Sequence, residues 1–169
     1  LKAANGKSLV VTSSNNINEQ LMVNVINHTL GNYGTTIDMA NVSYQRQGDD
    51  KALQALIKEM NEGAVQALIV CGANPAYDCA WSAEFVQGME KVTNKISFAG
   101  TLDETSSLCN VIAPTNHYLE SWGDAEARKG HYTLMQPTIA PLFDTRQYEL
   151  SLLVWAGAFD GENAGPVSY

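Results

Sequence analysis

The sequence predicts a three-layer, Rossmann-like α/β domain built on a mainly parallel sheet. Short apolar runs alternate along the chain with segments of about 10 to 15 residues whose apolar positions recur at helical spacing, which is the pattern of βαβ units. Glycines follow several of the helical segments, as they do where helices end. The chain has 169 residues, of which 45% are hydrophobic. This length suffices for one buried core, so we expect residues 1–169 to form a single domain.

The first part of the chain predicts two strands and two helices. The β-branched and apolar run 7–13 is typical of a buried parallel strand, and 35–40 predicts a second strand. Apolar residues at helical spacing predict a helix over 18–30, which ends before Gly31. The segment 48–63 predicts another helix because it has an acidic first turn and closes with a glycine.

The second part predicts three further strands and two helices. An unbroken apolar run over 65–72 predicts a central strand, and the runs 95–100 and 110–114 predict two more. Helical spacing of apolar residues predicts helices over 82–92 and 145–159. We expect the last of these helices to cover one face of the sheet.

The segment 116–144 carries little regular pattern. Loops longer than about 15 residues are uncommon unless they are functional or dock on another surface. Aromatic residues and methionine are enriched where proteins contact each other. We therefore expect this segment to dock on neighbouring domains through Tyr118, Trp122, Tyr132, Met135 and Phe143.

Charge and hydropathy exclude several classes of partner. Ten basic residues stand against eighteen acidic ones, and the formal net charge of -8 disfavours binding to nucleic acid or to an anionic membrane surface. No apolar run approaches the roughly 20 residues that a membrane-spanning helix needs, so we expect no direct membrane insertion. Because the chain begins at Leu1 without methionine and ends at Tyr169 without a targeting signal, we interpret it as an internal piece of a larger subunit.

The three cysteines fit no common metal or disulfide framework. Cys71, Cys79 and Cys109 are odd in number and irregular in spacing. We expect ordinary small, buried or half-buried side chains at all three positions. A disulfide between Cys71 and Cys79 is the alternative.

Two loops at the carboxyl ends of predicted strands are candidates for ligand binding, because ligands of open α/β sheets bind there. In the first loop, Gly72 permits a close backbone approach, Asn74 offers a hydrogen-bonding amide and Pro75 fixes the turn. In the second, Asp103 and Glu104 are placed to contact a ribose hydroxyl or a guanine edge. The alternative is purely structural, namely a strand-to-helix turn in the first loop and a capped helix start in the second.

Nothing in the sequence supports catalysis or a metal centre in this chain. There is no glycine-rich dinucleotide or P-loop pattern and no Gly-x-Ser-x-Gly nucleophile. One segment does combine histidines with carboxylates, but its irregular spacing favours structural or solvated roles over metal binding. Its members are His117, Glu120, Asp124, Glu126 and His131. The residues alone therefore indicate a binding-type domain without catalytic residues or metal ligands.

Several stretches, read in order, resemble the molybdopterin oxidoreductases, whose large subunits bind a bis-guanine-dinucleotide molybdenum cofactor. The stretches are "INHTLGNYGTTID", "LIVCGANPAYD" and "LDETSSLCNVIAPTNHYLESWGD". The resemblance covers most of residues 5–158. It implies that, if the dinucleotide is held, residues of the two loops approach its phosphates and guanosine: Gly72, Asn74 and Pro75 in one loop, and Asp103, Glu104 and Thr105 in the other.

Residues 117–157 are similar to the iron-sulfur, molybdopterin-oxidoreductase-like subunits of bacterial alternative complex III, through "LESWGD", "QPTIAPLF" and "DTRQ". This resemblance implies a scaffold that has lost the metal cofactor, with iron-sulfur clusters elsewhere in the parent protein. It also implies partners among the domains and subunits of a respiratory complex, and a periplasmic location peripheral to the inner membrane. Cys109-Asn110 replaces the Ala-Asp usual in the family, and the family's metal ligands lie outside this region.

Two interpretations follow from these resemblances. In the first, the chain is a scaffold and interface without its own redox centre and is not catalytic alone. In the second, it is the guanine-dinucleotide-binding domain of a catalytic molybdopterin oxidoreductase. An independent small-molecule-binding domain is a third possibility from the residues alone.

Overall fold

The computed structural model describes residues 4–45 and 47–158. Within them the elements follow in the order α1 (Ile17–Thr29), α2 (Asp50–Asn61), β1 (Ala67–Val70), α3 (Pro75–Asp78), α4 (Ser82–Lys91), β2 (Asn94–Ser97), β3 (Val111–Ile112), β4 (Gly123–Arg128), β5 (His131–Met135) and α5 (Tyr148–Trp155). Two compact units form. The first contains the described residues up to 47 together with 124–133, and the second contains 48–123 and the described residues from 134 onward.

In the first unit, α1 confirms the helix predicted over 18–30. The side chain of Asn16 accepts a hydrogen bond from the backbone N–H of Asn18 and caps the start of the helix. Gly31, with φ of 62°, takes the left-handed conformation that follows many helices. Leu30 and Asn27 are buried on the inner face of the helix.

The strands predicted over 7–13 and 35–40 are wrong, because neither segment belongs to a strand. In the first segment, the side chain of Asn27 makes the hydrogen bonds that a neighbouring strand would make. Its Oδ1 accepts from Val10 N at 3.0 Å, and its Nδ2 donates to Val10 O at 2.8 Å. In the second, the Asp38 carboxylate accepts from the backbone N–H groups of Ala40 and Asn41 and closes a turn. Side chains therefore satisfy backbone groups that the apolar pattern assigned to a sheet.

A hairpin that the sequence analysis missed lies in the segment 116–144. Strands β4 and β5 pair in a two-stranded sheet, and their turn uses Gly130, whose φ is 76°. Within the first unit, Tyr44 N donates to Ala127 O at 3.0 Å and thereby ties the hairpin to the preceding chain. The side chains of β5 are exposed throughout, so the hairpin lacks the alternating burial by which a strand is recognised in a sequence.

The second unit contains a parallel sheet in the order β1-β2-β3. Ala67 pairs with Asn94 and Val70 with Ser97, while Ile96 pairs with Val111. These strands confirm the three predicted over 65–72, 95–100 and 110–114, although each is shorter than its apolar run. The α/β class with a parallel sheet is thus confirmed.

Helices α2 and α4 form the hydrophobic core with the sheet. Both were predicted, over 48–63 and 82–92, and Asp49 caps α2 by accepting from Ala52 N. The buried members of the core are Ile57, Met60, Phe85, Met89 and Val92, and Leu68 of β1 packs against them.

Helix α5, predicted over 145–159, spans Tyr148–Trp155, and position 159 lies outside the described residues. It packs through aromatic rings on Phe98, which directly follows β2 and is 1% exposed. The ring centroids of Phe98 and Trp155 are 5.4 Å apart in a stacked arrangement, and Tyr148 tilts against Phe98 at 5.9 Å. Among the described residues, no helix has both the length and the apolar character needed to cross a membrane.

The close approach of α2 and α4 depends on Gly88. A Cβ atom on Gly88 would lie 2.8 Å from Met60 Cβ, which the backbone holds in place. We expect Gly88→Ala to lower the free energy of unfolding by about 1 to 2 kcal/mol, because overpacking outweighs the gain of up to about 1 kcal/mol in helix propensity. Chemical denaturation measures the change.

Gly48→Ala is the matched control, because a Cβ atom at Gly48 meets nothing within 4 Å. It should change the free energy of unfolding by less than about 0.5 kcal/mol. Equal stability of the two variants would contradict the packing derived for Gly88.

Candidate functional site

The candidate site lies beyond the carboxyl ends of β1 and β2, where the loops after these strands meet. In the first loop, Gly72 has a φ of 59°, a conformation that side chains other than glycine rarely adopt. Pro75 occupies the first turn of the short helix α3, where its fixed φ suits a helix start. Asn74 stands at the N-cap of this helix, but its side chain makes no capping bond there.

The side chain of Asn74 joins the two loops. Its Oδ1 accepts from Thr105 Oγ1 at 2.7 Å and from Thr105 N at 3.1 Å, and its Nδ2 donates to Glu104 Oε2 at 2.7 Å. The Thr105 hydroxyl in turn accepts from Ala76 N at 2.9 Å. The structure thus brings three of the predicted site residues together, but in contact with each other.

The second loop is closed by a reciprocal pair of bonds. Asp103 Oδ1 accepts from Ser106 N at 2.6 Å, and Ser106 Oγ accepts from Asp103 N at 2.7 Å. Ser106 is fully buried and begins a 3₁₀ turn over Ser106–Leu108. This is the capped start that the sequence offered as the structural alternative for Asp103. Ser106 was missed, because a serine inside a polar stretch gives no pattern.

The Glu104 carboxyl has a lowered pKa. The hydrogen bond from Asn74 lowers the pKa of the Glu104 carboxyl below its ordinary value of 4.5, helped by a backbone N–H, and the charge of Asp103 opposes the shift. The contact between Asn74 and Glu104 therefore favours the ionised form of the carboxyl.

A cavity of about 340 Å³ opens between the loops. Of the six predicted residues, Gly72, Asn74 and Asp103 line it, whereas Pro75, Glu104 and Thr105 do not. Asp78 also lines it and was not predicted, since nothing distinguishes it from any other acidic helix residue. Neither lysine nor arginine is among its lining residues.

This lining fits only part of a guanine dinucleotide. The carboxylates of Asp78 and Asp103 can accept hydrogen bonds from the N–H groups on a guanine edge. The same two carboxylates repel a pyrophosphate, and no cationic side chain of the cavity offsets them. The residues present therefore do not fit the whole dinucleotide.

The cysteines near this edge are free thiols, so the alternative of a disulfide between Cys71 and Cys79 is wrong. Cys71 is exposed, and Cys109 is half-buried with its Sγ 3.4 Å from Thr105 O. Partial burial raises the pKa of both thiols. The raised pKa favours the protonated thiol, which is a poorer nucleophile than the thiolate.

The histidine and carboxylate residues of the segment 116–144 do not converge. Across residues 4–45 and 47–158, no group of three or more His, Cys, Asp and Glu side chains is arranged to hold a metal ion. Glu120 instead has a structural contact, because its carboxylate accepts from His117 N at 2.9 Å and from Leu142 N at 3.0 Å. These two bonds lower the pKa of Glu120.

The contact between Asn74 and Glu104 predicts a specific titration. In Asn74→Ala the donor is gone, so the pKa of Glu104 should rise towards 4.5. A depressed carboxyl pKa stabilises the fold above the unfolded value of the pKa and loses that effect as pH falls through the folded value. Below about pH 4.5, the free energy of unfolding should therefore fall less in Asn74→Ala than in the wild type.

Carboxyl-detected NMR titration of Glu104 measures this shift. Asn18→Ala, on the exposed surface of α1, is the control and should leave the Glu104 titration unchanged. An identical Glu104 pKa in the wild type and in Asn74→Ala would mean that the bond does not exist in solution.

Comparison with known proteins gives one informative similarity. No protein-family model matches the chain. The molybdopterin-binding-like subunit of menaquinone reductase from Nitratidesulfovibrio vulgaris (strain Hildenborough) is 33% identical over 110 residues, which is 63% of this chain and 16% of that subunit. The chain thus corresponds to a small part of that relative. This similarity, together with the α/β fold, supports a relationship to the molybdopterin-oxidoreductase-related proteins.

Proposed function

We propose that this chain is a scaffold and interface domain of a molybdopterin-oxidoreductase-like subunit in a respiratory, quinone-linked electron-transfer complex. It has no redox centre of its own in this proposal. Iron-sulfur clusters lie elsewhere in the parent protein, which is of the alternative complex III type and lies in the periplasm, peripheral to the inner membrane. The partners are the other domains and subunits of that complex.

The observation that carries this proposal is an apolar stripe on α1. It consists of Ile17, Leu21, Met22 and Val25, which recur on one face of the helix and are between 55% and 72% exposed. The opposite face holds the buried residues Asn27 and Leu30 and contacts the rest of the unit. A contiguous exposed apolar surface of this kind is typical of a protein interface.

The segment 116–144 supplies further exposed side chains of the kind that interfaces contain. Tyr118, Tyr132 and Phe143 are each about 70% exposed or more, and Trp122 and Met135 are also exposed. Aromatic side chains and methionine are enriched in the contacts between proteins. Their exposure supports the expectation that the segment docks on neighbouring domains or subunits.

The loop with Asn74 also favours a structural function. Its amide oxygen accepts two hydrogen bonds from Thr105 and its amide nitrogen donates one to Glu104, so a nucleotide would compete with these bonds for the Asn74 side chain. Removing it from these partners would leave the backbone N–H of Thr105 without its acceptor, which costs about 1 to 3 kcal/mol for a buried group. The hydrogen bonds between the two loops are therefore favoured over bonds from Asn74 to a ligand.

A charge placed on the α1 stripe should break the interface. Val25→Glu puts a carboxylate on the last residue of the stripe, and burying it unpaired against a partner is unfavourable enough to lower affinity by more than about tenfold. The variant should still fold, because Val25 is 63% exposed. Native electrophoresis of the complex, stained for quinone-linked activity, measures the loss of assembled complex.

Ala55→Glu is the matched control, since it adds the same charge at an exposed position in the middle of α2. It should assemble as the wild type does. If Val25→Glu also assembles normally while both variants melt at the wild-type temperature, the stripe is not an interface.

A second candidate function is guanine-dinucleotide binding, and the cavity between the two loops favours it. Gly72, Asn74 and Asp103 line that cavity beyond the carboxyl ends of β1 and β2, where nucleotides bind in open sheets. When bound, the molybdenum cofactor would supply redox chemistry to the parent enzyme. This chain would contribute only the contacts of Asp78 and Asp103 with the base.

Pterin content separates the two functions. The native complex, purified with its subunits, is oxidised in acid, and the released pterin is measured by fluorescence against the amount of protein. We expect less than about one-tenth of an equivalent, because the cavity has two carboxylates and no cationic side chain for the pyrophosphate. One or two equivalents per parent chain would support the dinucleotide-binding function and overturn the scaffold.

A further inference from the structure

The segment over residues 8–14 has the geometry of a single strand, although it belongs to neither sheet of the described residues. Its side chains alternate between half-buried and exposed, with the even-numbered positions half-buried. This alternation is typical of an extended chain. In such a chain the backbone N–H and C=O groups of successive residues also point to opposite edges. The segment therefore has two hydrogen-bonding edges.

Side chains of the same unit satisfy the first edge. Val10 exchanges both of its backbone hydrogen bonds with the Asn27 carboxamide. Ser8 O accepts from the Thr36 hydroxyl at 2.6 Å, and the Ser8 hydroxyl donates to Asn32 Oδ1 at 3.2 Å. Asn27 and Asn32 are buried, and Asn32 Nδ2 donates to Asn27 Oδ1 at 2.8 Å. Buried amides thus hold the segment in its extended form.

The second edge, formed by Leu9 and Val11, is open. The backbone N–H and C=O groups of these two residues make no hydrogen bond with the described part of the chain. Their side chains are 56% and 76% exposed. Two donors and two acceptors therefore alternate along a preformed edge, beside two exposed apolar side chains. Edges of this kind are templates for pairing with another strand.

The spacing of these groups defines what fits the open edge. An extended peptide backbone presents donors and acceptors at the same alternating spacing. The residues that pair with Leu9 and Val11 place their side chains on the same face as those two side chains, within cross-strand contact. The matching occupant is therefore a strand with apolar residues at alternate positions.

The small size of the open edge favours an occupant from the same polypeptide. Four neutral hydrogen bonds and two apolar cross-strand pairs are too weak to offset the freedom that two separate molecules lose on binding. A covalently connected segment avoids most of that loss, because its effective concentration is high. The similar menaquinone reductase subunit is long enough to contain such a segment, since the 110 matched residues are 16% of it.

We propose that the open edge of residues 8–14 pairs with an apolar strand from the part of the parent protein outside this chain. This strand adds to the edge by β-augmentation, so that Leu9 and Val11 each donate one backbone hydrogen bond and accept one. The inference rests on the proposed function in one respect, namely that this chain is a domain of a larger protein. It uses no residue of the α1 stripe.

Hydrogen exchange of single backbone amides tests the pairing. Mass spectrometry with electron-transfer fragmentation gives the exchange rates in the 169-residue chain and in the full-length parent protein, expressed without partner subunits. We expect Leu9 and Val11 to exchange at least about a hundredfold more slowly in the parent protein, because a paired amide exchanges only when the strand opens. Val10, whose N–H is bonded to Asn27 Oδ1, should exchange slowly in both.

A proline at position 11 connects this protection to the backbone. Val11→Pro removes the N–H donor, and proline is not found in the middle of paired strands. In the parent protein it should raise the exchange rate of Leu9 at least about tenfold. Val11→Thr is the matched control, because it keeps the N–H and the β-branched shape, and it should leave that rate unchanged. The comparison of the two wild-type proteins stands even where Val11→Pro does not fold.

Four results would overturn the proposal. The first is equal exchange of Leu9 and Val11 in the two wild-type proteins. The second is protection already present in the 169-residue chain, which would indicate pairing within the chain or with a second copy. The third is protection that appears only in the assembled complex, which would indicate a strand from a partner subunit. The fourth is protection of Leu9 that survives in a folded Val11→Pro parent protein.

The exchange experiment is independent of the tests of the proposed function. It needs neither the assembly of Val25→Glu nor the pterin content of the complex. The failure of the pairing and the failure of the scaffold function are therefore distinguishable.

Discussion

Side chains that satisfy backbone groups outside regular structure hold the irregular parts of this protein in place, and the carboxamide of Asn74 is the case with the widest consequences. Backbone N–H and C=O groups that leave water must find partners. Asn74 supplies one to Thr105 and at the same time binds the Glu104 carboxylate. The loops after β1 and β2 are therefore fixed to each other, and the shape of the cavity between them follows from that contact.

Two other polar side chains, those of Asn27 and Glu120, also bind backbone groups in this way. Asn27, buried in α1, makes two hydrogen bonds with the backbone of Val10 and so replaces a neighbouring strand. The Glu120 carboxylate accepts from the backbone N–H groups of His117 and Leu142. It thereby joins the chain that follows β3 to the loop over residues 139–145. In each of these three cases, a polar residue from a stretch that resembles the molybdopterin oxidoreductases stabilises the fold through its hydrogen bonds. The resemblance to cofactor-binding proteins is thus compatible with a chain whose polar residues mainly stabilise loops.

Two cavities of the second unit differ in chemistry. The one between the first two loops carries the carboxylates of Asp78 and Asp103, which suit the donors of a base and oppose phosphate. The larger one, of about 660 Å³, lies between residues 115–120 and 139–145 and is mostly apolar. The acidic cavity lies between loops that hydrogen-bond to each other, and exposed apolar surfaces lie elsewhere in the protein. Domains that contact other proteins have such properties, which agree with the scaffold function proposed above.

The sequence by itself determined the four longer helices and the α/β class, whereas the short helix α3 was not predicted. Periodic apolar residues and terminal glycines predicted α1, α2 and α4, because these signals act within a few turns of one helix. The parallel strands were predicted too, since buried strands have unbroken apolar runs. The sequence also predicted that Gly72, Asn74 and Asp103 lie at one edge of the sheet, because the carboxyl ends of parallel strands meet there.

Only the tertiary structure decided which backbone groups pair with side chains. The runs 7–13 and 35–40 have the composition of strands, yet Asn27 and Asp38 occupy the hydrogen-bonding groups that strands would use. In the hairpin of β4 and β5, the side chains of β5 are exposed throughout, and those of β4 do not alternate regularly between buried and exposed. Whether Asn74 faces a ligand or Thr105 depends on distances between residues about thirty positions apart, and a local pattern carries no information about such distances.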